Sequence, residues 1–246
     1  MSTPFHVKFS MHSIAAITKL ESLEQVSAAI ASLRIDHDRP VLVVIGGASK
    51  LSPDDYELVK QVFESVLAPI AQQWQAAVVD GGTDTGVMRL MGHARQRLEG
   101  TFPLIGVTPT SLAILPGESA LSESAAPLEP HHSHFLLVPG SDWGAESEWL
   151  AGIATEIAKT APSVTVLVNG GEVTWQDAMQ NIMKLRPLIV IDGSGRTANL
   201  LAAGLRGEPT DDRALPLIES RLVKSIKLTD LDRLRTEIEA IFQGRA

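Results

Sequence analysis

Apolar residues along this chain recur with two alternating periods. Short continuous runs occur at Val41 to Ile45, Ala76 to Asp80, Phe102 to Val107, Phe135 to Val138, Val164 to Val168 and Leu188 to Ile191. Rich in β-branched side chains and too short for helices, they predict strands covered on both faces. Helical patterns alternate with them, over about 22–33 (Leu23, Val26, Ile30, Leu33), 52–74, 85–98, 145–159, 174–185 and 197–205. Ser52-Pro53-Asp54-Asp55 gives its helix an N-cap, a first-position proline and first-turn acids. Pro69 predicts a disturbance later in that helix. Phe5 to Phe9 alternates and predicts a short edge strand. Asp230 to Phe242, with Leu231, Leu234, Ile238 and Ile241 on one face, predicts a terminal amphipathic helix capped by Thr229 or Asp230. This alternation predicts an α/β fold, a mostly parallel sheet with helices on both faces.

The pattern fades from Ser111 to His134, where Pro116, Gly117, Pro127 and Pro130 are spaced by serines. A loop of that length in a domain of this kind often serves as a lid or binding loop. Gly207 to Pro216 is a second polar stretch. No repeat or linker divides the 246 residues, so we expect one domain with its core at about 41–206.

The strand ends carry the candidate chemistry. Ile45-Gly46-Gly47-Ala48-Ser49, Asp80-Gly81-Gly82-Thr83-Asp84-Thr85-Gly86, Val168-Asn169-Gly170-Gly171 and Asp192-Gly193-Ser194-Gly195-Arg196 each end a strand in a glycine turn. In parallel α/β sheets ligands bind at the carboxyl ends of the strands. There, free N–H groups and helix N-termini favour anions. Any one corner alone is equally a tight turn needing positive φ. All of them on one edge point to a phosphate- or nucleotide-sized ligand. The turns match neither G-x-G-x-x-G nor a P-loop, and no G-x-S-x-G elbow is present.

Composition narrows this further. A net charge of −8, from 21 basic and 29 acidic residues, argues against a broad nucleic-acid surface. No cysteines are present, which excludes disulfides, thiolate catalysis and cysteine-held metals. No apolar run approaches the roughly 20 residues that span a bilayer, and Met1 to Ser13 lacks signal-peptide features. We expect a cytoplasmic protein that requires no cofactor; a homodimer is implied only by α/β relatives of this type, which pair through helices.

Ser49, Thr83, Thr85 and Ser194 are candidate hydroxyl donors to phosphate, and Arg196 a candidate cation for it. The same Arg196 is equally a solvated residue at a helix start. Arg89 reads as a solvent-facing helix residue. In His131-His132-Ser133-His134, alternate residues of an extended segment face one way, but no second pair at ligand spacing follows. A metal is therefore not expected, and His134 is expected to line the cleft. Glu146 and Glu148 suit a helix N-terminus. Either would also serve as a ribose-hydroxyl acceptor or catalytic carboxylate, with Glu146 preferred. Asp80 and Asp192 close strands on the same edge and are further candidate acceptors.

The stretch Gly81 to Met88, with Gly92 beyond, resembles the glycine motif of the SLOG superfamily. The likeness is closest to the N-terminal region of melastatin-type TRP channels. Further blocks resemble that region in the same order: Val44 to Ala48, Pro130 to Val138, Gly144-Ala145-Glu146, Val168 to Gly171 and Val190 to Ala198. The resemblance implies a stand-alone, prokaryote-style SLOG protein with a Rossmann-like fold. It implies a bound ligand of the ADP-ribose or NAD-metabolite type, held by Gly46, Gly47, Ala48, Ser49, Gly81, Gly82, Thr83, Asp84, Thr85, Gly86, His134, Glu146, Gly170, Gly171, Gly193, Ser194, Gly195 and Arg196. Asp192 to Arg196 would form the wall opposite Asp80 to Met88. LOG enzymes of the superfamily cleave nucleoside monophosphates at the glycosidic bond, which keeps a second reading open. This chain departs from their pattern: Thr83 replaces a third glycine, and Pro139 to Glu146 lacks a glycine and the threonine and places the acid one residue early.

Overall fold

Each continuous β-branched run forms an interior strand of one nine-stranded sheet. The strands are β1 (Phe5–Ser10), β2 (Ser13–Lys19), β3 (Val41–Gly46), β4 (Ala77–Asp80), β5 (Leu104–Pro109), the short β6 (Ala113–Ile114) and β7 (Ala126–Pro127), β8 (His134–Val138), β9 (Ser163–Val168), β10 (Leu188–Asp192) and β11 (Val223–Lys227). Around them lie α1 (Val26–Ser32), α2 (Pro53–Val62), α3 (Ala68–Trp74), α4 (Gly86–Arg97), α5 (Ser147–Ala158), α6 (Glu172–Met183), α7 (Arg196–Leu205), α8 (Ala214–Glu219) and α9 (Leu231–Phe242). The structure, a computed structural model, describes residues 2–11, 13–47, 52–120 and 122–245.

The main sheet runs β1-β2-β8-β5-β4-β3-β9-β10-β11 and is parallel except for the β1–β2 hairpin. Alternate residues of β3 enter opposite layers. Val41, Val43 and Ile45 pack with α1, α5, α6 and α7, whereas Leu42 and Val44 pack with α2, α4 and α9. Burial on both faces is why these strands read as unbroken apolar runs. The edge strands do not: β1, predicted as an edge strand, alternates half-buried with exposed residues, and β11 mixes buried with exposed ones. The predicted disturbance before Pro69 is a π-turn at Phe63–Leu67, after which α3 restarts with the proline in its first turn. The stretch before α8 is irregular as its polarity suggests, while α8 itself carries buried Ala214 and Leu217.

From β3, the chain places β4, β5 and β8 to one side and β9, β10 and β11 to the other. The carboxyl ends of β3 and β9 therefore flank a topological switch point, the position where open α/β sheets bind ligands. Gly46 sits at that point with φ +125, and a β-carbon there would lie 1.9 Å from the Val168 carbonyl oxygen. Only glycine lets the two strand ends meet so closely.

Candidate functional site

A cleft of about 340 Å³ opens at the switch point. Its floor is Val44, Ile45 and Gly46 of β3 and Gly81 beyond β4, and one wall is Thr83, Thr85 and Met88. The facing wall comes from the first turns of α5 and α6: Glu146 and Leu150, then Val173, Thr174 and Asp177. Trp143, Ser124 and Ala126 close its outer side. Trp143 Nε1 donates to the Ser124 carbonyl at 3.1 Å, which ties the α5 approach to the long 111–134 connection. That connection is built by the β6–β7 pair and by a bridge between Leu128 and Thr83, so it packs along the glycine turn.

Two carboxyls face this cleft. Glu146 is buried and accepts from the Gly144 N–H at 2.8 Å, and burial pushes its pKa up against that hydrogen bond. Asp177 accepts from the Ser147 hydroxyl at 2.6 Å. Burial, with the Glu146 charge adding to it, raises Asp177 to about 7 despite that donor. Asp177 lies within α6, where a lone acid reads as solvated surface, so only the tertiary structure discloses it.

A second hollow of about 330 Å³ adjoins the first along Gly46, Thr85 and Met88. Gly47, Gly86, Tyr56 and Arg89 complete it. The N-cap residue of α4, Thr85, makes no capping hydrogen bond, its hydroxyl pairing instead with that of Thr83. The first-turn N–H groups of α4 and the Arg89 guanidinium thus meet the glycines of β3 at one place. Arg89 pairs with Asp84 through Nε at 2.7 Å. It is exposed on α4, as its reading as a solvent-facing helix residue has it, and it also lines this hollow.

The β9 and β10 corners do not form the opposite wall. They clasp one another: the Ser194 hydroxyl accepts from the Asn169 N–H at 2.8 Å and donates to the Ile191 carbonyl, and Asn169 Nδ2 donates to the Ser194 carbonyl. Thr197 Oγ1 donates to the Gly171 carbonyl. Ser194 and the Gly171 carbonyl thus join the two strand ends, while the Gly193 and Gly195 N–H groups donate to Asn199 Oδ1 of α7; these residues and Gly170 are outside the cleft lining. Arg196 lies against Gly171 at the start of α7. His134 begins β8 at the amino-end edge, with Nδ1 on the Ser133 hydroxyl, and burial holds it near 4. The alternation argument fails there because His132 precedes the strand and lies in a turn. Asp192 pairs with Arg206 at 2.8 Å. Ala48 and Ser49 lie outside the described residues.

Asp80 lies fully buried beneath the turn, outside the cleft lining. Its Oδ1 accepts from the Gly82 N–H and from His132 Nε2, each at 2.8 Å, while His132 Nδ1 bonds Glu129 Oε2 at 2.7 Å. All three side chains are fully buried. Burial disfavours the histidine's charge, but the two carboxylates outweigh it and raise His132 to about 9. This Asp80–His132–Glu129 chain holds the Gly81–Gly82 turn from beneath. Gly92 on α4 makes room for it, since a β-carbon there would fall 2.1 Å from the Glu129 carboxylate. Alanine in a helix interior usually gains about 1 kcal/mol over glycine. In Gly92→Ala we expect the reverse, a loss of about 1–3 kcal/mol from overpacking against a fixed charge, read by urea denaturation; a stabilised variant would refute this packing.

Comparison with known proteins agrees with this architecture. The family described as SLOG in TRPM, prokaryote, matches residues 39–236. The chain is 26% identical over 245 residues to Transient receptor potential cation channel subfamily M member 2 of Rattus norvegicus, an alignment covering 82% of this chain and 16% of the channel. It is 28% identical over 200 residues to the subfamily M member-like 2 channel of Nematostella vectensis, covering 65% of this chain and 13% of that one. The chain thus spans a small part of the curated relatives it matches, and none of its described helices is long and apolar enough to cross a membrane. Among solved structures, the X-ray structure of TM1055, a structural-genomics target, superposes with a TM-score of 0.53 at 19% identity, covering 82% of this chain and 99% of that chain. That likeness concerns the fold alone.

Proposed function

This chain belongs to the prokaryotic family of SLOG in TRPM, and from that premise we propose that its switch-point cleft binds a nucleotide-derived ligand of the ADP-ribose type. One observation carries the reading: two hollows share Gly46, Thr85 and Met88, with anion-binding groups in one and an aromatic ring and carboxyls in the other. Phosphates occupy the end formed by Gly46, Gly47, the α4 N-terminus and Arg89, where N–H dipoles and a guanidinium favour anions. A ribose and base occupy the other end, with Glu146 or Asp177 accepting ribose hydroxyls and Trp143 beside the base. Thr83 and Thr85 line the passage between.

Calorimetry with ADP-ribose, cyclic ADP-ribose, NAD and AMP tests this. The diphosphates should bind, and Arg89→Ala should weaken them about tenfold, the loss of one charge-assisted contact worth about 1.4 kcal/mol. Absence of binding by all four at millimolar concentration would end this reading.

The paired carboxyls favour a second reading, hydrolysis of a nucleotide N-glycosidic bond. Below about pH 7 Asp177 holds a proton and is able to deliver it to the leaving base nitrogen as the C1′–N bond breaks; Glu146 stabilises positive charge developing on the ribose, and water adds at C1′ and returns its proton to the Asp177 carboxylate. Base release should then decline as pH rises through about 7 and disappear in Glu146→Gln and Asp177→Asn. No turnover over hours at high protein concentration would dismiss it.

A further inference from the structure

Behind the glycine turn, on the side of α4 away from the cleft, a separate set of groups converges. His93 of α4, Glu129 and His131 each place one ligand atom within 4.8 Å of the others. The two imidazole rings meet edge to face at 5.6 Å, and His131 Nε2 lies 3.9 Å from Glu129 Oε1. The Glu129 side chain is fully buried, and its two oxygens differ. Oε2 is satisfied by the His131 N–H at 2.9 Å and by His132 Nδ1 at 2.7 Å. Among the described residues, Oε1 is buried with no hydrogen-bond partner.

A buried carboxylate oxygen without a donor is costly and calls for a partner. The neighbouring cations do not supply one. Arg95 donates to the Phe102 and His131 carbonyls. His131 Nε2, at 3.9 Å, is too distant for a hydrogen bond to Oε1. His93 is exposed on α4, with its ring against that of His131.

We propose that His93, His131 and Glu129 Oε1 hold a divalent transition-metal ion. Two imidazoles and one carboxylate select zinc or a similar ion over calcium or magnesium, which prefer all-oxygen sites. Tetrahedral zinc with bonds of about 2.0–2.2 Å places its donor atoms about 3.4 Å apart. The set lies near that spacing, with His131 Nε2 and Glu129 Oε1 3.9 Å apart and all three ligand atoms within 4.8 Å of one another, so small side-chain shifts close it and leave the fourth position to water. The ion fixes α4 to the 129–132 turn. Glu129 then bridges metal and His132, so that the support beneath Gly81 and Gly82 continues to the surface. This site is independent of the nucleotide reading.

The test is a zinc titration of the full chain against a chromophoric chelator, with cobalt(II) as a spectroscopic substitute. We expect one zinc per chain, a visible ligand-field band with cobalt, and a zinc-dependent rise in Tm. His93→Ala and His131→Ala should each lower zinc affinity at least about 100-fold, beyond the ~10–100-fold typical of an outer-sphere partner, and abolish the Tm shift. His93 is exposed, and melting without metal verifies that its variant is folded. Failure of the wild-type chain to take up zinc would overturn the proposal, as would wild-type affinity in either variant.

Discussion

Replacing His132 with alanine should cost about 3–5 kcal/mol of folding stability, the usual loss when one partner is removed from a buried ionic cluster. The imidazolium stands between Asp80 and Glu129, all three fully buried, at 2.8 and 2.7 Å. Without it two carboxylates face each other across a cavity, and the Gly82 N–H is tied to an acceptor that has lost its counter-charge. The wild type also carries a pH signature. Folded, His132 holds its proton up to about pH 9; unfolded, it releases it near 6.5. Between those values the unfolded chain binds fewer protons, so this contribution is complete below about 6.5 and is lost as pH rises through about 9, at about 1.4 kcal/mol per unit. Urea denaturation from pH 6 to 9 should show that decline in the wild type and a flatter profile in His132→Ala. A variant within about 1 kcal/mol of wild type would mean that the cluster is not ionised as the geometry requires.

Trp143→Ala should cost a bound nucleotide about 1–3 kcal/mol, the range for one base stacked on an aromatic ring, or roughly 5- to 150-fold in Kd. The indole is held in place by its hydrogen bond to the Ser124 carbonyl, so its face is preorganised beside Glu146 and Asp177. Trp143→Phe keeps a ring but loses the tether and should fall between wild type and alanine. Titration of each variant with ADP-ribose measures this. Equal affinity across the three would place the base elsewhere.

Much of the frame was readable in the sequence because the interior strands are buried on both faces and write continuous β-branched runs. The edge strand β1 was legible too, from its alternation at Phe5 to Phe9, whereas β2 and the far edge β11 were not: they have one partly solvated face, and their mixed patterns resemble connections. At the site, the glycine corners of β3 and β4 were legible, because a strand that ends in glycine before a helix leaves few other interpretations. Which corners share a cleft depends on strand order. Crossing from β3 to β9 sends the β9 and β10 corners toward each other, and the Ser194 hydroxyl that reads as a phosphate donor is used in joining them. Asp80 and His132 are 52 residues apart and meet only because β4 lies beneath the 129–132 turn. Gly92 carries the one local trace of that cluster: a glycine within a helix, retained for the space it leaves.

The central claim concerns where a nucleotide sits, and a crystal structure of the chain soaked with ADP-ribose tests it most directly. The account predicts the diphosphate against Gly46, Gly47 and the first turn of α4 with Arg89 turned toward it, a ribose within hydrogen-bonding distance of Glu146 or Asp177, and an aromatic base against Trp143. Density for the nucleotide at the Asn169–Ser194 clasp or elsewhere, with the switch-point cleft empty, would contradict it.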